Sequence, residues 1–399
     1  MSDTPAPPSR RRRWLRRLAI AALVLAGVFA VILIDTWTAL GQRPTGDHLD
    51  RLRASKQWQG DAFDNPLPKN DPPFWPLMKG WLFGDEKRNP DDPVPIAPLG
   101  PEDFATAPAS GLRLTWLGHS TFLIEIDGKR ILTDPVFGER ASPSSVIGPK
   151  RFHPVPIALA DLPPLDAIII SHDHYDHLDW PTIAALRDSP VPFYVPLGLG
   201  SHLSYWGIPS DRIHEHDWWD RSTLDGIVLA AVPARHFSGR TGPSGNQTLW
   251  CGWALIGPKH RVFFSGDTAM FPGFADIGRE YGPFDVTLIE SGAYNPLWAD
   301  VHLGPEQAVE AHRMVRGELM IPVHWGTFNL AFHAWTEPAE RVLAEAERLG
   351  VRVAVPRPGE QIEPADPPPV LRWWPKVETR TAAETPVVSS GLTPAGNDG

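Results

Sequence analysis

A histidine- and aspartate-rich stretch follows a short apolar run near the middle of the chain. The apolar run is AIII at residues 167–170, and the polar stretch is SHDHYDH at residues 171–177. The run predicts a strand that is buried on both faces, so the loop after it is held at its base and open at its tip. Imidazole and carboxylate groups are ligands for zinc and similar ions. This spacing favours a metal site over a polar loop that is merely rich in histidine.

Three further residues of ligand type each follow an apolar run that predicts a strand. They are His236, Asp267 and His324. Glycine, serine or proline stands close to each of them, as a tight turn requires. Strand ends that deliver such side chains suggest one shared site at the rim of a sheet sandwich. The expected ligand sets are His172, His174 and His236 for one ion, Asp176, His177 and His324 for a second ion, and Asp267 as a bridge between the ions.

Length, charge and cysteine content narrow the class of protein. A chain of 399 residues can form one large domain or two smaller ones. Its formal net charge of -10 argues against a nucleic-acid partner, because nucleic-acid-binding proteins present a basic stripe. Cys251 is the only cysteine, so an intrachain disulfide and a cysteine metal cluster are both excluded. Any metal site must therefore be built from His, Asp and Glu.

The beginning of the chain predicts a membrane segment. Six arginines lie between residues 10 and 17, and the seventeen residues at 18–34 carry no charge. A helix of about 17–25 apolar residues spans a bilayer, and basic flanks stay on the cytoplasmic side. We therefore expect a basic cytoplasmic tail at residues 1–17 and a single-pass signal anchor at 18–40. The anchor would lie in a bacterial inner membrane, with the rest of the chain in the periplasm.

Two export signals are alternatives to this anchor. The tripeptide ALG at residues 39–41 is a small-x-small cleavage site, and cleavage there would leave a soluble periplasmic protein. The run RRRWLR at residues 11–16 resembles a twin-arginine signal. A buried helix of a soluble core does not fit, because six arginines stand at its entrance.

The remaining chain divides into three parts. Residues 41–110 are rich in proline and aromatic residues, and we expect an irregular arm packed on the main domain near a substrate groove. A plain tether is the alternative. Residues 111–365 alternate predicted strands with a few predicted helices, and they open with a β-meander around the turn Asp127-Gly128. This pattern predicts an α/β (α+β) domain. Residues 366–399 are Pro-rich, and we expect a disordered tail.

The order of these motifs resembles that of the metallo-β-lactamase superfamily. Longer blocks resemble its N-acyl-phosphatidylethanolamine phospholipase D branch, in the form of a bacterial-type homologue. The resemblance implies a metallo-β-lactamase αββα sandwich with a dinuclear zinc site at its edge. The blocks lie within residues 111–359 and read LTWLGHS at 114–120, LTDP at 132–135, GPKRF at 148–152, FFSGDT at 263–268, GAY at 292–294 and HWGTF at 324–328.

The resemblance also implies roles for individual residues. The seven metal ligands are the positions named above, with two zinc ions per chain. Asp176 and Asp267 have catalytic roles as well. Asp134 matches an acidic residue that orients a ligand histidine, and His302 matches a histidine that holds a phosphate oxygen or assists the leaving group. A purely structural role stays open for both of them, and His119 is a weaker candidate.

The implied activity is hydrolysis of a membrane phospholipid by a zinc phosphodiesterase of phospholipase D type. Hydroxide activated by two zinc ions would attack phosphorus in N-acyl-phosphatidylethanolamine or a related lipid. A zinc hydrolase of a lactone or another ester is the alternative enzyme, and a catalytically idle metal-binding membrane protein is the alternative of another class. The acidic charge disfavours a nuclease, and nothing beyond the metal loop matches a β-lactamase. The expected partner is the membrane lipid, and a homodimer stays open.

Overall fold

The computed structural model describes residues 10–240 and 245–392. Residues 1–9 of the expected basic tail and residues 393–399 of the expected disordered tail lie outside these ranges. The α-helices are α1 (Arg10–Trp37), α2 (Gly46–Arg53), α3 (Phe74–Phe83), α4 (Trp180–Ala185), α5 (Gly200–Tyr205), α6 (Gly273–Tyr281), α7 (Pro305–Met314) and α8 (Glu337–Leu349). The strands are β1 (Trp58–Gln59), β2 (Ala62–Phe63), β3 (Leu112–Gly118), β4 (Thr121–Ile126), β5 (Lys129–Thr133), β6 (Ala167–Ile169), β7 (Phe193–Pro196), β8 (Ile213–His216), β9 (Arg221–Leu224), β10 (Ile227–Val232), β11 (Gly252–Ile256), β12 (Arg261–Phe264), β13 (Phe284–Glu290), β14 (Gly317–Val323), β15 (Arg352–Val353) and β16 (Gln361–Ile362).

Two mixed β-sheets stack on each other, and helices cover both outer faces. One sheet has the strand order β16-β3-β4-β5-β6-β7-β8, and the other has the order β15-β14-β13-β12-β11-β10-β9. Apolar side chains of both sheets, such as Leu114, Trp253 and Leu288, form one core between them. Helices α4 and α5 pack outside the first sheet, while α6, α7 and α8 pack outside the second. The predicted αββα sandwich is confirmed.

The strands that precede the ligand-type residues deliver their ends to one edge of the sandwich. Strands β5, β6 and β7 are parallel, as are β12, β13 and β14. Strand β10 runs in the same direction as β12, because both are antiparallel to β11. Gly266 after β12 lies so close to Ser171 after β6 that a Cβ at Gly266 would lie 2.6 Å from the Ser171 Cβ. The carboxyl ends of both sheets therefore meet, as they do at ligand sites of α/β proteins.

Several short elements have weak sequence signals. Strand β9 lies at a sheet edge and has no buried residue, so it lacks an apolar pattern. Helix α6 buries Phe274, Ile277 and Tyr281 at helical spacing, although two glycines weaken its helix propensity. Within the mostly apolar run at residues 351–355, only Arg352–Val353 form a strand. Helix α8 ends after Leu349, because Gly350 takes a left-handed conformation.

The expected irregular arm at residues 41–110 contains regular structure. It forms α2, the small hairpin of β1 and β2, and α3. Leu52 of α2 and Phe63 of β2 are buried in the core between the sheets. Many prolines therefore coexist with short elements, since each element lies between the prolines or, in α3, carries one in its first turn.

The expectation of a disordered tail is wrong for residues 366–392. Trp374 is buried against the main core, and the Ser389 hydroxyl donates to the Ala299 carbonyl at 2.6 Å. Ser390 donates through its backbone N–H and its hydroxyl to the Asp300 carboxylate. Proline prevents regular elements here, but it does not prevent packing when aromatic side chains supply apolar area.

Candidate metal centre

Two groups of ligand-type side chains lie side by side at the shared edge of the sheets. Within each group, one ligand atom per residue lies within 4.8 Å of the others. The groups are His172, His174, His236 and Asp267, and His119, Asp176, His177 and His324; a third group, Asp267, Glu290, His302 and His324, overlaps both of them. Asp267 reaches both groups, because its carboxylate oxygens lie 3.2 Å from Nε2 of His177 and 3.1 Å from Nε2 of His324. All seven residues predicted as ligands converge here, and His119 joins them.

The imidazole nitrogens of the first group face each other. Nδ1 of His174 lies 2.8 Å from Nε2 of His172 and 3.2 Å from Nε2 of His236. The other ring nitrogen of His236 lies 2.7 Å from the Val301 carbonyl, which can only accept, so Nδ1 carries the hydrogen and Nε2 presents a lone pair. Three imidazole nitrogens that converge on one point can each offer a lone pair to a single cation. This donor set fits a metal ion.

A buried carboxylate holds His177 of the second group from behind. Asp134 accepts hydrogen bonds from the backbone N–H and the hydroxyl of Ser171, and its Oδ2 lies 2.6 Å from Nδ1 of His177. Nε2 of His177 and Oδ1 of Asp267 are buried and lie 3.2 Å apart, but their geometry makes no hydrogen bond, and neither atom has another hydrogen-bond partner in the described part of the chain. Orphaned polar atoms of this kind are costly unless an ion satisfies them, which supports the fit. Asp134 therefore contacts the site through His177, as carboxylates behind metal-binding histidines do.

His119 reaches the second group from the turn between β3 and β4. Its Nε2 lies 3.0 Å from Oδ2 of Asp176, and its ring centroid lies 4.1 Å from that of His324. Burial lowers the pKa of His119 to about 3. Burial also acts to lower the pKa of His324, but the charge of Asp267 outweighs it and raises that pKa to about 10. The negative charge of Asp267 thus favours a positive charge at the metal centre.

Glu290 is a residue of the site that the sequence patterns missed. It ends β13 and is fully buried, and one of its oxygens accepts a hydrogen bond of 2.5 Å from the Thr268 N–H. Its other oxygen contacts Nδ1 of His302. Burial and the nearby Asp267 charge raise the pKa of Glu290 well above its usual range, and burial lowers the pKa of His302 to about 4. Like Asp267, Glu290 is an acidic residue at a strand end. A search for ligand-type residues at the ends of predicted strands could therefore have found it.

A cavity of about 460 Å³ opens onto these side chains. His174, Asp176 and Asp267 form its metal-facing wall, together with His302 and His324. Most of the remaining wall is apolar, and Lys69 lies over the Phe237 ring with its Nζ 5.1 Å from the centroid. The apolar residues are Pro72, Leu77, Trp81, Phe237, Ala293, Trp298, Val301 and Leu330.

Clustered histidines and aspartates at the edge of an αββα sandwich define a metal-dependent hydrolase of the metallo-β-lactamase fold. A family model described as a β-lactamase superfamily domain matches residues 129–325, which contain all seven ligand-type residues. An archaeal metallo hydrolase from Ignicoccus hospitalis has the same fold with a TM-score of 0.50 and 24% identity, over 63% of this chain and 97% of that one.

Two relatives extend this similarity along the sequence. An uncharacterised protein of Mycobacterium tuberculosis is 52% identical over 286 residues, which are 71% of this chain and 77% of that protein. The N-acyl-phosphatidylethanolamine-hydrolysing phospholipase D 1 of Caenorhabditis elegans is 39% identical over 275 residues, which are 64% of this chain and 75% of that enzyme. The chain belongs to the metallo-β-lactamase superfamily and is a homologue of the N-acyl-phosphatidylethanolamine phospholipases D.

Proposed function

We propose that this hydrolase is a zinc phosphodiesterase of phospholipase D type that acts on N-acyl-phosphatidylethanolamine or a related membrane phospholipid. The observation that carries the proposal is the cavity, which joins the metal-binding side chains to an apolar wall. Lys69 adds a positive charge to this wall, and a phosphodiester attached to acyl chains needs both features. The nematode relative is named as an enzyme that hydrolyses N-acyl-phosphatidylethanolamine, and this similarity supports the same substrate class.

Two zinc ions are the cofactor in this proposal. His172, His174 and His236 would hold one ion, Asp176, His177 and His324 would hold the other, and Asp267 would contact both. Bound there, the ions would supply Lewis acidity toward the phosphodiester and would make a water molecule acidic near neutral pH. Histidine nitrogens and carboxylate oxygens are both ligands that zinc accepts.

The reaction forms a P–O bond to the oxygen of water and breaks the P–O bond to the N-acylethanolamine oxygen. We assign Asp176 to accept the proton of the water, since its carboxylate lines the cavity and lies 3.1 Å from Nε2 of His324. We assign His302 to a phosphoryl oxygen or to the leaving oxygen, which must take up a proton. His302 also lines the cavity, and Glu290 holds its ring. The products are phosphatidate and N-acylethanolamine.

An assay of the full chain in detergent tests this proposal. N-acyl-phosphatidylethanolamine is offered in mixed micelles in water enriched in ¹⁸O, beside a panel of lactones. Release of N-acylethanolamine, with the label in phosphatidate, is the expected result because attack is on phosphorus. Turnover of lactones alone would favour the alternative ester hydrolase. Binding of zinc without turnover of any ester would favour the idle metal-binding protein.

We also propose that the domain works at the surface of the membrane that holds α1. One helix in the described ranges is long and apolar enough to cross a bilayer, at Trp14–Leu40. On α3, Leu77 and Trp81 line the cavity, while the opposite side exposes 78% of Trp75 and 76% of Phe83. Exposed aromatic residues beside a lipid site are typical of interfacial contact. This surface would let a lipid enter the cavity without leaving the bilayer.

A further inference from the structure

The segment that follows the membrane helix is bound into the domain rather than free. We call residues 38–42 the strap. The indole N–H of Trp206 donates to the Thr38 carbonyl at 2.8 Å, and Nε of Arg240 donates to the Ala39 carbonyl at 2.9 Å. Ala39 is only 4% exposed. The strap thus satisfies donors that would otherwise be buried and unpaired.

The same guanidinium group connects the strap to the metal loop at residues 172–178. Nη1 of Arg240 donates to the carbonyls of Asp173 and Leu178, at 2.6 and 2.9 Å. Its guanidinium carbon lies 4.1 Å from the centroid of the Tyr175 ring. Asp173 stands between two metal-binding histidines, and Tyr175 and Leu178 belong to the same loop. Arg240 therefore holds the strap and the loop in one arrangement.

A second connection runs through His202. The backbone N–H of Gln42 donates to Nδ1 of His202, at 3.1 Å. The other ring nitrogen, Nε2, lies 3.3 Å from the Asp173 carboxylate. That carboxylate also accepts the Gly239 N–H at 2.7 Å, close to His236. The strap therefore contacts His202, which in turn contacts the Asp173 carboxylate. Through that carboxylate the strap is connected to both segments that carry the first ligand group, the metal loop and the segment around His236.

The end of α1 is fixed at another point. The Asp35 carboxylate accepts hydrogen bonds from the hydroxyl of Ser144 at 2.6 Å and from the backbone N–H and hydroxyl of Ser145. Two separate attachments, one on each side of Trp37, restrict the direction in which α1 leaves the domain. A single flexible joint would not do so.

We propose that the strap positions the metal loop, so that α1 stays attached in the working protein and is a fixed part of it. Cleavage after Gly41 would remove both carbonyl acceptors and leave Nε of Arg240 buried without a partner. The signal anchor is therefore favoured over the cleaved signal. This inference concerns the support of the metal centre and does not depend on which ester is hydrolysed.

The full chain offers a matched pair of glycine variants. A Cβ at Gly41 would lie 2.1 Å from Nδ1 of His202, and Gly41 has a φ of +71°. Gly46 has a φ of +55° but no atom within 4 Å of its Cβ position. Gly41→Ala therefore expels the strap from His202 and also strains the backbone, because a φ of 71° with a ψ of -157° is nearly restricted to glycine. Gly46→Ala places a Cβ at a positive φ without a clash, and Trp206→Phe, which leaves the backbone unstrained, separates loss of a strap contact from backbone strain.

Hydrogen exchange of the full chain in detergent, followed by mass spectrometry, is the measurement. Gly41→Ala is expected to speed exchange at least tenfold in residues 172–178 and to weaken zinc binding by roughly 10–100-fold, the range for residues that support metal ligands. Gly46→Ala is expected to match the unaltered chain. Equal exchange of the loop in all three chains would overturn the proposal, as would equal effects of both variants.

Two further measurements apply if Gly41→Ala does not fold. Trp206→Phe removes the indole N–H to Thr38 together with part of the buried ring, and it is expected to raise exchange in the same loop by a smaller factor. An unchanged loop would contradict the proposal. The mass of the chain extracted from membranes should include α1. A zinc-loaded chain that begins after Gly41 would overturn the proposal.

Discussion

Asp267 is the residue on which both ligand groups depend. Its two oxygens face His177 and His324 in one group, and it belongs to the other group as well. Asn has almost the same shape but no charge, and its NH₂ would face imidazole nitrogens that need a cation. The exchange thus changes the charge of the centre while keeping its volume.

We predict that Asp267→Asn lowers turnover by roughly 1,000-fold, because the variant would weaken the hold on the two ions that would stabilise transition-state charge. Bound zinc should fall below about two ions per chain, while the circular dichroism spectrum stays that of a folded protein. The measurements are turnover, and metal content by atomic emission. Retention of both ions with full turnover would show that this carboxylate does not bridge.

Glu290 and His302 form a second pair with a distinct expected effect. Because Glu290 contacts Nδ1 of His302 and not the lone pairs of the first ligand group, Glu290→Gln should leave zinc content intact. Turnover should fall by roughly 10–100-fold, as for other residues that orient a functional histidine. His302→Ala should lower turnover at least as much, also with zinc retained.

Glu318→Gln provides the control for this pair, since Glu318 is exposed on β14. The combined variant Glu290→Gln with His302→Ala should be no worse than His302→Ala alone, because the two residues act as one unit. Additive losses would mean that Glu290 acts independently of His302. Loss of zinc in the His302 variant would assign His302 to the metal instead.

Among the secondary-structure elements, α3 has the clearest division of roles. None of its residues is buried, yet Trp81 packs edge-on against Phe332 with ring centroids 5.1 Å apart. One side of the helix is thus attached beside the cavity while the other is exposed. A proline in the first turn, at Pro76, is compatible with this short helix.

We predict that Trp75→Asp with Phe83→Asp raises KM for phospholipid vesicles by roughly tenfold or more, since each buried aromatic side chain contributes about 1.5–3 kcal/mol. Turnover of a short-chain, water-soluble phosphodiester should be unchanged. Leu371→Asp is the control, because Leu371 is 71% exposed and does not line the cavity. An equal loss on soluble and vesicle substrates would exclude a role of α3 in membrane contact.

The elements also show how far sequence patterns reach. The search for ligand-type residues after apolar runs identified His172, His236, Asp267 and His324. It succeeded because an apolar run and a turn residue are local features of the sequence. Glu290 ends β13 and was within reach of the same pattern. The position of His119 was harder to predict, because it joins the second ligand group from the turn between β3 and β4. The contacts of the strap are even harder to predict from the sequence, because their acceptors are backbone carbonyls, which every residue possesses. The packing of residues 366–392 was not predicted, because it depends on a few aromatic residues among many prolines.

At the scale of the whole molecule, the arginines and α1 predict the orientation in the membrane. Alkaline phosphatase fused after Gly399 should be active, because basic residues stay in the cytoplasm and we expect the domain on the opposite side of the membrane. The fusion should stay in the membrane pellet after a carbonate wash. Activity of a cytoplasmic reporter instead would reverse the orientation, and a shortened soluble chain would indicate cleavage.

The size of the cavity has a consequence for how the protein would select lipids. Cavities of roughly 300–1,000 Å³ enclose ligands of drug size, and this one measures about 460 Å³. A phospholipid with three acyl chains is larger than this cavity, so only the phosphodiester and the first carbons of its chains, against the apolar wall, would fit inside. The chains would stay in the bilayer beside α3. Turnover per membrane-bound lipid should then hardly vary with acyl length, and discrimination between lipids would rest on the group that leaves phosphorus.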